Sequence, residues 1–196
     1  MSFILARHGE SAYSALSLLN GDPAVRCGLT AAGVAEARAL GVSLAGEPLA
    51  LCVTSGFQRA EETADEALGS RDVPRLVVAG LGDPRYGPFE GRALAEFRAW
   101  AVGASSADLP GLGGESRLEI VARYARSFRI LLARPEESIL VVAHSLPVAY
   151  ALAARDGEPP GSSARIVRHA QPYGFERAEL ERATAVLERW VAAPTW

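Results

Sequence analysis

The chain has 196 residues, with 20 basic and 23 acidic side chains and a formal net charge of −3 at pH 7. It contains no lysine, which excludes Schiff-base lysines, pyridoxal-phosphate chemistry and a P-loop lysine. The slightly acidic balance argues against a protein that coats nucleic acid, and no apolar run reaches the ~18 residues of a membrane span.

The cysteine content indicates a reducing environment. Cys27 and Cys52 are too few for a disulfide framework or a cysteine-rich zinc site, so we expect both to be buried thiols. The first residues lack the basic and apolar regions of a secretory signal. The expected location is therefore the cytoplasm.

Short apolar runs alternate with helical patterns along the chain, which predicts an α/β fold around a mostly parallel sheet. The predicted strands are Ser2–Ala6, Leu49–Thr54, Arg75–Ala79 and Ser138–Ala143, with Arg165–Val167 as a short edge strand. Four helices are predicted. The first begins after Thr30 as N-cap, the second follows Gly56, the third covers residues 115–133 and the fourth covers Glu176–Trp190. The Gly- and Pro-rich loops are too short for linkers, so a single domain over residues 1–196 is predicted.

Histidines and arginines follow the predicted strands where each strand ends. Arg7 and His8 follow the first strand, Arg59 follows the second, and His144 follows the fourth. The carboxyl ends of parallel strands share one edge of a sheet, so these side chains are expected together. A neutral imidazole can attack phosphorus, and guanidinium groups match phosphoryl oxygens. The pattern predicts phosphoryl transfer through histidine.

An ordered set of motifs over roughly residues 3–150 resembles the histidine phosphatase superfamily, in its phosphoglycerate-mutase-like branch. The motifs are Arg7-His8-Gly9-Glu10-Ser11, Asn20-Gly21, Leu29-Thr30 with Gly33, residues 55–64 with Arg59 and Thr63-Ala64, Phe89-Glu90-Gly91, Gly113-Gly114-Glu115-Ser116 and Val141-Val142-Ala143-His144. The resemblance implies a three-layer α/β/α sandwich of the histidine phosphatase fold, with no cofactor and no metal.

The resemblance also implies roles for individual residues. His8 would be the nucleophile that becomes phosphohistidine, and Asp83 would protonate the leaving oxygen and then deprotonate water. The phosphoryl group and the substrate would be held by the remaining matched residues: Arg7, Arg59, His144, Asn20 and Gly21.

Three positions depart from the family pattern. Asp83 replaces the glutamate of the mutases, and aspartate at this position is familiar in phosphatases, which favours hydrolysis. Ser14 stands where the family often has an asparagine that touches phosphate, and Ser145 replaces the glycine after the second histidine. Both serines are predicted to lie at the substrate pocket.

The predicted function is hydrolysis of a small-molecule phosphomonoester without a metal ion. A phosphoglycerate mutase is the first alternative, but it needs a covering segment, and neither the interval from Asp83 to Glu115 nor the tail after Gly161 indicates a lid. A serine esterase using Ser145 would need glycines flanking the serine, which are missing. A non-catalytic phosphate-binding protein and a homodimer both stay open.

Four further predictions concern individual side chains and loops. The arginines of the long helix, Arg123, Arg126 and Arg129, are assigned to a solvated face with Glu119. Glu115 is taken as a first-turn acid favoured by the helix dipole. His169 is taken as structural. The loops Ala15–Asp22 and Tyr86–Arg92 are expected to set substrate specificity.

Overall fold

A computed structural model describes residues 2–196, which form a five-stranded sheet flanked by helices. The strands are β1 Ser2–Arg7, β2 Leu51–Thr54, β3 Arg75–Val77, β4 Ser138–Ala143 and β5 Pro172–Glu176. The helices are α1 Ala12–Ala15, α2 Ala31–Ser43, α3 Gln58–Leu68, α4 Leu94–Ala101, α5 Arg117–Leu132, α6 Ser145–Arg155 and α7 Arg177–Ala192. The strand order is β3-β2-β4-β1-β5, and only β5 runs antiparallel to its neighbour within the described residues. The predicted α/β class is confirmed.

Both faces of the sheet are covered, as alternation along β1 illustrates. Phe3 and Leu5 join an apolar cluster with α5, α6 and α7, whereas Ile4 and Ala6 join a second cluster with α2 and α3. Successive side chains of a strand point to opposite faces, so β1 contributes to both clusters. This three-layer arrangement confirms the predicted sandwich.

Polar side chains cap the starts of two helices, and the cap predicted at Thr30 is confirmed. Thr30 caps α2, and its hydroxyl oxygen accepts a hydrogen bond from the Gly33 amide at 3.0 Å. The long helix α5 begins after Ser116, whose side chain forms a reciprocal cap with Glu119. These caps satisfy amide groups that the first turn of a helix leaves without partners.

The last edge of the sheet differs from the prediction. Arg165–Val167 is not a strand; the edge strand is β5, five residues further along the chain. A single parallel bridge joins His169 to Arg7, and Ala170 then turns the chain with a φ of +46°. Because this left-handed turn reverses the chain, the ladder with β1 begins only afterwards and is antiparallel.

Two predictions from composition can be compared with the fold. Cys27 and Cys52 are free and buried, as expected. Among the helices of residues 2–196, none has the length and apolar character that crossing a membrane requires.

Candidate functional site

Four polar side chains meet at the carboxyl ends of the parallel strands. His8 follows β1, Arg59 lies in the first turn of α3, and His144 links β4 to α6. Asp83 comes from the loop after the short 3-10 turn Ala79–Leu81. His8, Arg59 and His144 are buried, although polar side chains are rarely buried without partners.

The Arg59 guanidinium is the centre of this cluster. Its Nε donates to Nε2 of His8 at 3.1 Å, and its Nη2 donates to Oδ2 of Asp83 at 2.7 Å. Asn20 accepts two further hydrogen bonds, one through its side-chain oxygen and one through its carbonyl at 2.9 Å. The Phe57 ring lies 4.5 Å from the guanidinium carbon. These contacts fix the orientation of the guanidinium plane.

The hydrogen bonds of His8 determine which of its nitrogens carries the proton. Nδ1 lies 2.7 Å from the carbonyl oxygen of Gly9, which can only accept, so Nδ1 is protonated and Nε2 keeps its lone pair. Burial, the neighbouring His144 and the positive charges of Arg59 and Arg7 hold the pKa of His8 well below its usual value. The imidazole is therefore neutral, the form that can act as a nucleophile.

His144 and Asp83 form a second hydrogen-bonded pair. Nε2 of His144 lies 2.8 Å from the Ser55 hydroxyl, and Nδ1 lies 3.0 Å from Oδ2 of Asp83. Burial alone would raise the pKa of the Asp83 carboxyl, but His144 and Arg59 outweigh it and hold this pKa well below its ordinary range. Burial lowers the pKa of His144 despite the neighbouring carboxylate. Asp83 is therefore ionised, and His144 donates to it from Nδ1.

Close backbone packing explains the glycine after His8. A Cβ on Gly9 would lie 2.4 Å from the carbonyl oxygen of Gly33 at the start of α2. The Gly9 amide donates to the Thr63 hydroxyl at 2.9 Å, which ties the end of β1 to α3. Sequence reasoning included Thr63 in a motif without finding this role.

The two loops expected to set specificity, Ala15–Asp22 and Tyr86–Arg92, are joined by hydrogen bonds and form one rim. The Gly21 amide donates to Oε2 of Glu90 at 2.8 Å, and Oε1 of the same carboxylate accepts from the Tyr86 amide at 2.8 Å. A Cβ on Gly21 would lie 1.8 Å from the Pro84 carbonyl oxygen, so only glycine fits. The rim holds Asn20 against Arg59 and passes directly beside the Asp83 loop.

The hydroxyls of Ser14 and Ser145 both have backbone partners. Ser14 accepts from the Ser11 amide at 2.7 Å, within the reciprocal cap of α1. Ser145 accepts from the Val167 amide at 2.9 Å. Their predicted contact with substrate stays a prediction, and each hydroxyl would have to share or change its present partner to make it.

Arg7 has one guanidinium nitrogen tied down and one unused. Nη1 donates to the Val167 carbonyl at 2.9 Å, whereas Nε is buried and has no hydrogen-bond partner among residues 2–196. Burial and Arg59 lower the pKa of Arg7, and Asp83 opposes this shift. An unpaired buried donor beside His8 fits an anionic ligand.

Arg123 does not lie on the solvated face where the sequence placed it. Arg126 and Arg129 are exposed there, but Arg123 forms a two-bond ion pair with Glu115 at 2.9 Å for each bond. Glu115 precedes the N-cap of α5, so it is not a first-turn acid either. The helical pattern gave no signal for this pair, since its other partners come from a distant loop.

The interval between Asp83 and Glu115 contains a helix that the sequence did not indicate. An aromatic cluster of Tyr86, Phe89, Phe97 and Trp100 packs α4 against the rim, with neighbouring ring centroids 5.0 to 6.0 Å apart. The interval therefore includes an ordered helix packed against the rim, and the expectation that no segment covers the site stays a prediction.

Three of the site residues could hold a metal ion by distance alone. Ligand atoms of His8, Asp83 and His144 all lie within 4.8 Å of one another. The Arg59 guanidinium, however, contacts each of them, at 3.1, 2.7 and 3.2 Å respectively. A metal ion would have to displace a buried cation that already has the partners it needs.

Comparison with known proteins assigns the chain to a family. The sequence pattern of the histidine phosphatase superfamily, branch 1, matches residues 3–193, and the chain belongs to this superfamily. It is 30% identical over 187 residues to the 2,3-bisphosphoglycerate-dependent phosphoglycerate mutase 2 of Gloeobacter violaceus, which covers 88% of this chain and 84% of that protein. The match to a Bartonella quintana mutase is 36% identical over 104 residues, 50% of this chain. That match spans about half the length of the relative, 48%.

Solved structures extend the comparison to phosphatases. A putative alpha-ribazole-5'-P phosphatase from Escherichia coli superposes with a TM-score of 0.77 at 25% identity, covering 89% of each chain. A mycobacterial glucosyl-3-phosphoglycerate phosphatase superposes with a TM-score of 0.73 at 24% identity, covering 89% of this chain and 92% of that one. The second likeness concerns the fold alone.

Proposed function

We propose that this protein is a metal-independent phosphatase that hydrolyses a small-molecule phosphomonoester through a phosphohistidine on His8. The observation that carries the proposal is the lone pair on Nε2 of His8, which faces the Arg59 guanidinium beside an ionised Asp83. The nucleophile and the carboxyl thus both lie within hydrogen-bond distance of one guanidinium, which brings together the groups needed for displacement at phosphorus with proton transfer.

The reaction has two displacements at the same phosphorus. Nε2 of His8 attacks, the bond from phosphorus to the ester oxygen breaks, and protonated Asp83 gives its proton to the departing alkoxide. Water then attacks the phosphohistidine while Asp83 takes its proton, which releases phosphate and restores His8. Arg7, Arg59 and His144 hold the equatorial oxygens in both steps.

The contacts of Asp83 explain how a strongly acidic carboxyl becomes an acid catalyst. In the free protein Asp83 accepts from Arg59 and His144, the donors that the phosphoryl oxygens would use. A bound phosphoryl group takes over these donors and adds negative charge beside the carboxyl. Both changes raise the pKa of Asp83, so substrate binding itself favours the protonated form.

Hydrolysis and mutase-type transfer differ in whether water reaches the phosphoenzyme. The aspartate at position 83 and the likeness to a putative alpha-ribazole-5'-P phosphatase support hydrolysis. Mutase-type transfer is the second candidate, supported by the Gloeobacter relative and by α4 beside the rim. An esterase using Ser145 has no such support, because the His144 nitrogens bond to Ser55 and Asp83 instead.

The test is turnover of an aryl phosphate by purified protein in the presence of a metal chelator. We expect hydrolysis, inhibition by vanadate, and an acid-labile phosphoenzyme that is absent from His8→Ala. Full activity in a correctly folded His8→Ala variant would remove the proposed nucleophile.

Two further assays separate the alternatives. Sustained exchange between 2- and 3-phosphoglycerate, primed by bisphosphoglycerate, would identify a mutase. Vanadate binding without turnover of any substrate in a broad panel of phosphorylated metabolites would indicate a phosphate-binding protein.

A further inference from the structure

We propose that Arg123 and Glu115 are positioning residues for the reaction, because together they clamp the loop that carries Asp83 on both sides of that residue. The inference rests on the proposed function, in which Asp83 handles the leaving-group proton. Neither residue contacts the reacting atoms, so their effect on turnover would pass through Asp83.

Arg123 holds the loop on its N-terminal side and at Asp83 itself. Its Nη1 donates to the carbonyl oxygens of Gly80 at 2.7 Å and Gly82 at 3.0 Å, and its Nη2 lies 3.3 Å from the Asp83 carbonyl oxygen. The Tyr124 hydroxyl adds a hydrogen bond to Gly82 at 3.0 Å. Three carbonyl groups within four residues are thus bound to one guanidinium.

Glu115 holds the loop on its C-terminal side. Its Oε2 accepts from the Arg85 amide at 2.9 Å, and its own amide donates to the Arg85 carbonyl at 2.9 Å. The same carboxylate binds Nε and Nη2 of Arg123, which joins the two halves of the clamp. Gly82 precedes Asp83 and Arg85 follows it by two residues. The backbone is therefore held on both sides of Asp83 and has little freedom.

The clamp needs an arginine rather than any cation. The planar guanidinium supplies five N–H donors in a fixed fork, and here they serve Glu115 and the loop carbonyls at the same time. A lysine ammonium would keep the charge but could not span both sets of acceptors. Side-chain exposure is 19% for Arg123 and 6% for Glu115, so water replaces these bonds poorly.

A loosened loop should affect one chemical step more than others. A general acid must lie within about 2.6–3.2 Å of the oxygen it protonates. A misplacement of about 1 Å can cost on the order of 10²-fold in rate. An alkyl phosphate needs this proton because its leaving group is a strong base, whereas a nitrophenyl phosphate scarcely does.

The first experiment measures kcat and KM for both kinds of substrate in Arg123→Lys, with Arg129→Lys as the matched control on the same helix. For Arg123→Lys we expect kcat on the alkyl phosphate to fall by about 10- to 100-fold, and on the nitrophenyl phosphate by less than about 3-fold. Both KM values should be unchanged. Arg129→Lys should match the parent, because Arg129 pairs only with Glu188 in the contacts of residues 2–196. If Arg123→Lys folds poorly, Glu115→Gln is the replacement variant, because it keeps the side-chain shape. The same selective loss of kcat on the alkyl phosphate is expected for it.

The second experiment repeats the measurement in an Asp83→Asn background. If Arg123 acts through Asp83, then Arg123→Lys should have no further effect on the alkyl phosphate once the acid is gone. Equal losses on both substrates, or losses that multiply in the double variant, would mean that Arg123 only stabilises the fold and would overturn the inference. A single Asp83→Asn variant that shows no leaving-group dependence would instead reject the acid role of Asp83, and the inference with it.

Discussion

Two arginine–carboxylate pairs with nearly equal bond lengths belong to very different regions of the molecule. Arg59 and Asp83 pair at 2.7 Å at the strand ends, with side-chain exposures of 4% and 19%. Arg129 and Glu188 pair at 2.6 Å on the outer surface of α5 and α7, with exposures of 51% and 42%. The buried pair lies where charges are poorly screened and each partner has further hydrogen bonds, whereas water and salt weaken the surface pair. Location and partners, rather than bond length, separate a candidate reaction centre from a surface contact.

Of the substitutions in the two ion pairs, Asp83→Asn in the buried pair is expected to lower turnover most. The amide keeps the side-chain size but cannot supply the leaving-group proton. We expect kcat on an alkyl phosphate to fall by about 10²- to 10⁴-fold, and on a nitrophenyl phosphate far less. Steady-state rates on the two substrates check this, and equal losses on both would remove Asp83 from the acid role.

Replacing Arg59, the other partner of the buried pair, tests whether a positive charge at the strand ends is sufficient for catalysis. Arg59→Lys keeps a cation but loses the fork that reaches His8, Asp83 and Asn20 together. We expect kcat/KM to fall by about 10²- to 10³-fold, the range for losing a transition-state donor. The exposed Arg126→Lys is the matched control and should retain parental activity. Parental activity in Arg59→Lys would contradict the central place given to the guanidinium.

Anion binding should change the protonation of the buried pair. The pKa of Asp83 is low in the free protein because Arg59 and His144 favour its ionised form, and an anion that takes these donors raises that pKa. Binding should therefore take up protons, and affinity should weaken as pH rises. Titration calorimetry with sulfate at pH 5, in buffers of different ionisation enthalpy, should show uptake of up to about one proton. Asp83→Asn should lose this uptake, and equal uptake in both proteins would contradict the coupling.

The smallest effect is expected at the surface pair. Arg129→Ala removes the partner of Glu188, but both groups remain hydrated in either case. We expect the free energy of unfolding to change by no more than about 1 kcal/mol in urea titrations, with kcat unchanged. A larger loss of stability, or any loss of turnover, would show that the exposed pair contributes more to stability or activity than its exposure suggests.

Parts of the fold and the site follow from local patterns in the sequence. The apolar runs of β1 and β4 place His8 and His144 at one edge of the sheet, because parallel strands end together. Thr30 marks the start of α2 through its capping side chain. The edge strand β5 was missed because a left-handed turn at Ala170, rather than an apolar run, decides where the ladder begins.

The sequence by itself determined the fold class, the superfamily and the set of groups that could react, since motifs and apolar periodicity act within short windows of the chain. Only the tertiary structure decided how these groups are paired: Arg59 with Asp83 across 24 positions, Ser55 with His144 across 89, and Arg123 with the Asp83 loop across 40. That packing also sets the protonation of His8, through burial and neighbouring cations, and of Asp83, through its contacts with His144 and Arg59. Desolvation and neighbouring charge depend on which distant residues surround a group, and no local pattern encodes them.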